Sequence, residues 1–124
     1  MAFTTGLILN TRDFGTAAAN AAVNISNEDT VNTAQIVVQI FYTLSTGVAK
    51  TPLYFQTYTV PPRFADIRTF FISGVLAYEV QIAVIAPQPN LVVASVFGLD
   101  TFNNLVPVHR VLQSELTPIP SLGS

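Results

Sequence analysis

The stretch Ala34-Gln35-Ile36-Val37-Val38-Gln39-Ile40-Phe41-Tyr42-Thr43-Leu44 is dominated by β-branched and aromatic side chains. Residues at every second position share one face of an extended chain, so Ile36, Val38, Ile40, Tyr42 and Leu44 form a continuous apolar row. It reads as a long central strand. The opposite row, Val37, Gln39, Phe41 and Thr43, is half apolar; a strand covered on one side only is more polar there, so a second layer is expected against this face too.

Working outward, the turn signal Ser45-Thr46-Gly47 leads to a strand from Leu53 to Val60 that Pro61-Pro62 stops. The run Arg63 to Ile72 follows, with Ile67 and Phe71 as its expected inner face. Leu76 to Ala86 sets Tyr78, Val80, Ile82 and Val84 against Glu79, Gln81 and Ala83, a half-buried strand pattern. Past Pro87-Gln88-Pro89-Asn90 comes a strand from Leu91 to Gly98, then a last one from about Leu105 to Leu116. Pro107 cannot donate a ladder hydrogen bond, which places that strand at an edge. With Val23 to Ser26 added, the spacing of turn signals predicts an all-β fold, an antiparallel β-sandwich or jelly roll of about 7–8 strands. The expected domain covers residues 23–116, preceded by an arm and linker over 1–22 and followed by a patternless tail over 117–124.

The chain has 124 residues, half of them hydrophobic, which suits one domain with one core. Only 10% are charged and the net charge is −2, with the charges scattered singly. Nucleic acid and anionic lipid are therefore not expected partners, and a surface of Thr, Asn, Ser and Gln gives little protection against association. There is no cysteine, so disulfides and thiolate metal sites are excluded. No apolar run approaches the roughly 18 residues that cross a bilayer as a helix, and the N-terminus lacks the basic segment of a secretory signal.

The N-terminal segment Phe3-Thr4-Thr5-Gly6-Leu7-Ile8-Leu9 is strand-like and stands apart, separated from the core by small residues over Thr11 to Ala22. Extended, that linker spans up to roughly 40 Å, against a diameter of roughly 30–35 Å for a domain of this size. Phe3, Leu7 and Leu9 form an apolar set at spacings 4 and 2, all on one face of a strand. The arm, Phe3, Leu7, Ile8 and Leu9, is accordingly the expected subunit interface, supplying a missing row and edge hydrogen bonds to a neighbour's sheet. Folding back on its own sheet is the alternative, and the pattern leaves it open.

No residues announce catalysis, a metal site or a cofactor. His109 is the only histidine, and a lone imidazole needs partners that no motif supplies. Asp66, Glu79, Asp100 and Glu115 lie on different elements, and a glycosidase dyad would need two of them together. Tyr54 and Tyr58, about 13 Å apart along one strand face, could stack sugar rings. The six glycines are isolated, so no phosphate loop is present.

The order Val23-Asn24-Ile25-Ser26-Asn27, Ile36-Val37-Val38-Gln39-Ile40, Val60-Pro61-Pro62, Tyr78-Glu79-Val80-Gln81-Ile82, Ser95-Val96-Phe97-Gly98 and Leu105 to Leu116 resembles the small jelly-roll subunits of bacterial endospore appendages. The resemblance implies a non-enzymatic subunit of a spore- or cell-surface fibre, a homopolymer growing head-to-tail through its N-terminal extension, with room for an anchoring or tip protein. Several such subunits carry cysteines in their N-terminal connectors. Here there are none, so strand complementation and apolar packing would hold the fibre. A carbohydrate-binding or adhesive domain and a capsid or decoration protein are the competing expectations.

Overall fold

The computed structural model describes residues 1–11 and 17–123. The middle of the expected linker, residues 12–16, lies outside the described residues, as does Ser124. Ten strands follow in order: β1 (Ala2–Thr4), β2 (Ile8–Leu9), β3 (Asn20–Asn27), β4 (Ala34–Thr43), β5 (Thr51–Val60), β6 (Ala65–Phe71), β7 (Ala77–Ile85), β8 (Val92–Leu99), β9 (Leu105–Val111) and β10 (Thr117–Ile119).

They form two antiparallel sheets packed face to face, a β-sandwich. One sheet has the order β10-β1-β7-β4-β5, with β2 continuing along the same edge of β7 as β1; the other has the order β6-β3-β8-β9. Consecutive strands stay in one sheet at β1–β2, β4–β5 and β8–β9, and the chain crosses to the other sheet at β2–β3, β3–β4, β5–β6, β6–β7, β7–β8 and β9–β10. Long-range pairing of this kind is the jelly-roll habit of closing a core between two layers.

The core lies between the sheets and follows the alternation of the strands. Ile36, Val38 and Ile40 of β4 and Val80, Ile82 and Val84 of β7 face Val23 and Ile25 of β3 and Ala94 and Val96 of β8. The inner row Ile36, Val38 and Ile40 thus packs as the sequence predicts, although the strand ends at Thr43 and leaves Leu44 exposed in the turn. On the opposite row, where a second layer is expected, only Phe41 is buried; Val37, Gln39 and Thr43 stay half-buried, with no further sheet among the described residues.

Three expectations are corrected. Strand β3 begins at Asn20, and Ala18, Ala19, Ala21 and Ala22 are buried, so the second half of the expected linker belongs to the core. Alanine satisfies a leash and a narrow inter-sheet gap equally well, which is why its presence alone does not separate the two. The expected inner face of the sixth strand is inverted: Phe70 is buried, whereas Ile67 is 71% and Phe71 62% exposed. Pairing of Ala21, Val23 and Ile25 with Phe70, Arg68 and Asp66 turns those three inward. Arg68 lies with its guanidinium 3.8 Å from the Tyr58 ring centroid and its Nε 3.0 Å from Asp66, so a charged residue closes the flank of the sandwich.

The long final strand is also divided. β9 is an edge strand, as Pro107 requires, but it stops at Val111. A single 3-10 turn over Gln113–Glu115 and the buried Leu116 carry the chain into the opposite sheet, where β10 pairs with β1 within the supposedly patternless tail.

Candidate functional site

The expected interface residues of the arm occupy a slot in their own sheet. Ala2, Phe3 and Thr4 pair with Ala83, Ile82 and Gln81 of β7 on one side and with Ile119, Pro118 and Thr117 of β10 on the other. Farther along, Ile8 and Leu9 pair with Tyr78 and Ala77. Between Thr4 and Ile8 the arm advances four positions while β7 advances three, so one residue is extra. Gly6 absorbs it at φ 71°, in the left-handed region that glycine occupies without a Cβ penalty. The Thr5 amide donates to the Val80 carbonyl at 3.0 Å, and the Thr5 hydroxyl accepts from the Val80 amide at 3.1 Å.

This bulge changes which side chains share a face. Phe3 and Ile8 both pack against the core, while Leu7 is 61% and Leu9 67% exposed. The expected grouping of Phe3 with Leu7 and Leu9 is therefore overturned by parity, since one inserted residue moves every later side chain to the other side. Leu7 and Leu9 instead join Val48, Leu76 and the stem of Lys50 around a shallow apolar pocket of about 260 Å³.

Three polar anchors hold the arm. At its start, the Thr4 hydroxyl donates to the Glu79 carboxylate, which also accepts from Lys50 Nζ at 2.5 Å and from Gln81 Nε2 at 3.1 Å. The Gly123 amide donates to Gln81 Oε1 at 2.7 Å, so the chain's last turn caps the cluster. Thr4, Glu79 and Gln81 are all buried although they lie on the outer side of the sheet. Burial pushes the Glu79 carboxyl up, but the donors from Lys50, Thr4 and Gln81 and the Lys50 charge outweigh it and hold it below its ordinary value.

At the far end, Asn10 is fully buried and closes the path back to the core. Its Oδ1 accepts from the Ala18 amide at 2.8 Å, its Nδ2 donates to the Ala18 carbonyl at 3.1 Å, and its own carbonyl accepts from the Ala17 amide at 3.1 Å. Its amide donates to the Leu76 carbonyl at 2.8 Å. The expected twelve-residue leash is thereby reduced to the connection between Asn10 and Ala18.

The third anchor is His109. Strand β9 bulges so that Phe97 opposes Arg110 and Gly98 opposes Val106, and His109 is tucked inward over Gly98, buried at 4% exposure. Its Nδ1 lies 3.0 Å from the Tyr78 hydroxyl, and its ring also bonds the Leu9 backbone in a sense that favours the proton on the ring, so the carbonyl accepts. Burial outweighs that bond and holds the imidazole below its ordinary value. The lone histidine thus joins β2, β7 and β9.

The remaining candidates are spread apart. Asp66 pairs with Arg68; Asp100 Oδ1 accepts from the amides of Phe102 at 2.8 Å and Asn104 at 3.0 Å; Glu115 Oε1 accepts from the Leu112 amide at 3.0 Å. None of these carboxylates shares a partner with another, or with Glu79, as a dyad would, and among the described residues no group of His, Asp and Glu is placed to hold a metal ion. Tyr54 packs on Phe70 at 5.2 Å and donates its hydroxyl to the Phe71 carbonyl at 2.8 Å. Tyr58 is buried beneath Arg68, and among the described residues its hydroxyl has no hydrogen-bond partner. Both rings are engaged in packing rather than presented as a platform.

Sequence reasoning passed over Asn10, Thr4 and Gln81. A polar residue on the outer row of a strand reads as solvated, and nothing local signals that a distant segment covers it. No helix among the described residues is long and apolar enough to cross a membrane.

No protein-family model matches the chain, and no curated protein matches it. Among solved structures, the crystal structure of Thermotoga maritima 1070 is similar to this chain over 85% of each, with a TM-score of 0.48 and 14% identity.

Proposed function

We propose that this chain is a structural subunit that polymerises head-to-tail into a fibre by exchanging its arm, β1–β2, into the slot of the next subunit. The observation that supports this reading most directly is the double pairing of β1. The first strand of the arm is bonded on both sides, between β10 and β7, and β2 on one side, to β7, yet the arm is joined to the domain only through the connection between Asn10 and Ala18. An identical arm from a neighbour would make the same hydrogen bonds to β7 and β10 and the same Thr4–Glu79 contact, so exchange sacrifices no interaction within the slot. Exchange of an identical element is a low-cost route to association, and a head-to-tail contact of this kind propagates unless the rotation closes.

The geometry restricts how such subunits sit. If a donated Asn10 pairs with the acceptor's Ala18, the connection to the donor's own Ala18 spans roughly 27 Å at most. Since a domain of this size is roughly 30–35 Å across, successive subunits have to touch. A surface fibre of a spore or cell, as the resemblance implies, is the proposed setting, and the low charge suits close stacking.

The test is a lock. Ala2 and Ala83 are directly opposite in β1 and β7, a separation that suits a cross-strand disulfide, and the chain has no other cysteine. The oxidised Ala2→Cys/Ala83→Cys protein is expected to show no filaments by negative-stain microscopy, and reduction is expected to restore them. Filaments of equal length and number under both conditions would remove arm exchange as the mechanism.

A further inference from the structure

Among the described residues the sandwich has its edges at β5 and β10 in one sheet and β6 and β9 in the other, with the two-residue β2 also open on the side away from β7. Three of them carry the devices that keep an edge from pairing with another chain. β10 is three residues long and contains Pro118. β9 contains Pro107 and a bulge, with His109 and Arg110 at its break. β6 turns Asp66 and Arg68 inward as an ion pair at 3.0 Å along its length. Short length, proline, bulges and inward charges are the recognised protections of a sheet edge.

β5 differs from all three. It is ten residues long, Thr51-Pro52-Leu53-Tyr54-Phe55-Gln56-Thr57-Tyr58-Thr59-Val60, and contains no charged residue. Its proline and its bulge, the register shift opposite Ile40 and Phe41, are both confined to the first few residues. From Tyr54 to Val60 it pairs regularly with β4 on one side, and on the other the described residues supply no strand. Phe55 is 68% exposed on the outer face, flanked by the exposed Thr57 and Thr59.

We infer that β5 is a second assembly surface, which pairs antiparallel with β5 of a second copy to join two six-stranded sheets into one. Self-pairing suits this strand because a two-fold contact sets each side chain against its own kind of neighbour. An uncharged strand meets no like-charge repulsion there, which the edges bearing Arg68 or Arg110 would. The axis must stand perpendicular to the sheet for outer faces to remain outer, so by the period of two it passes through Phe55, Gln56 or Thr57. These registers set Phe55 opposite Phe55, Thr57 or Thr59 of the partner respectively, covering an exposed ring with cross-strand neighbours. Each also leaves the two copies of residue 56 directly opposite or on the adjacent diagonal, within roughly 8 Å. The contact is independent of the arm: it is two-fold, whereas arm exchange is head-to-tail, and together they would tie parallel strands of a fibre to one another.

The experiment uses the full chain with its arm locked by the Ala2–Ala83 disulfide, so that arm exchange contributes nothing. Sedimentation equilibrium on the order of 100 μM, where a micromolar contact is fully populated, is expected to show a dimer. Gln56→Lys and Gln56→Glu, each checked for an unchanged circular-dichroism spectrum, are expected to weaken it at least about tenfold, and an equimolar mixture of the two to restore it. A locked protein that stays monomeric overturns the inference, as does a dimer indifferent to both charges or one that the mixture fails to rescue. A monomeric locked form whose reduced form makes filaments would leave arm exchange standing alone. A charge-sensitive locked dimer without filaments in either state would do the reverse.

Discussion

Gly98→Ala tests the seat of His109. A Cβ built at residue 98 would lie 2.6 Å from His109 Cβ, 2.8 Å from Nδ1 and 3.0 Å from Cγ, whereas carbon atoms pack at about 3.5–4.0 Å. The first of these is the root atom of the side chain, so relief requires β9 itself to move. Overpacking of this kind costs about 1–3 kcal/mol. Moving the imidazole also strips the buried Tyr78 hydroxyl of its partner, adding about 1–3 kcal/mol. Against this, alanine narrows the unfolded ensemble and returns about 0.4–1 kcal/mol. The expected net loss is about 1–5 kcal/mol, a large share of a typical domain's stability, read as a lower urea midpoint with unchanged slope. The partner measurement is the same substitution in a His109→Gly background. There the colliding Cβ and ring are absent, and Gly98→Ala should be neutral or slightly stabilising. A loss below about 0.5 kcal/mol in the native background, or an equal loss in both, would refute the argument that Gly98 exists to admit His109.

Asn10→Ala removes an amide that satisfies both backbone groups of Ala18, so a loss of about 2–4 kcal/mol is expected, with faster hydrogen exchange at Ala2–Thr4 and faster filament growth; unchanged exchange there would show that Asn10 does not secure the arm. Glu79 is held below its ordinary value, so its contribution is complete above the usual carboxylate range and is lost as pH falls through the folded-state value. Glu79→Gln should lose stability at neutral pH and flatten that acid limb, and an unaltered acid limb would count against the network. His109 is also depressed, so stability should decline as pH falls from about 6.5, where the unfolded chain takes a proton that the buried ring refuses; His109→Gln should remove that slope in an equilibrium titration. Tyr58, pushed up to about 12 chiefly by burial and then by Asp66, is favoured neutral in the fold, so its contribution is lost as pH rises above the unfolded value of 10.0. Tyr58→Phe should therefore be neutral or stabilising by up to about 1 kcal/mol at pH 7 and should weaken the alkaline loss.

The sandwich was legible wherever strands alternate without interruption. Ile36, Val38 and Ile40, and likewise Val80, Ile82 and Val84, occupy the core rows that period-two reading assigns them. Reading failed where one residue changes the parity or where a charged side chain faces inward. Gly6 inserts a position that no local pattern reveals, and it separates Phe3 from Leu7 and Leu9. Arg68 faces the core side because its stem and guanidinium cover Tyr58, a contact between strands that sequence distance hides. The anchors of the arm were invisible for the same reason. Thr4, Glu79 and Gln81 read as solvated until Lys50 and the turn at Gly123 are seen to bond to them, and His109 gains meaning only from Gly98 and Leu9.

The double pairing of β1 also orders events in time. Its partners lie in β7 and β10, both translated well after it, and at about 5–20 residues per second β7 follows on the order of 4–15 s later. The first strand made is therefore among the last to be seated, since its slot does not exist until the final strand of that sheet is present. During this interval a growing chain holds an unplaced apolar segment, and a newly finished one holds an open slot. Under the proposed arm exchange, chains made close together on one message would meet in that state and be natural first partners, whereas a chain that completes folding alone closes over its own arm and would have to reopen several hydrogen bonds before joining another.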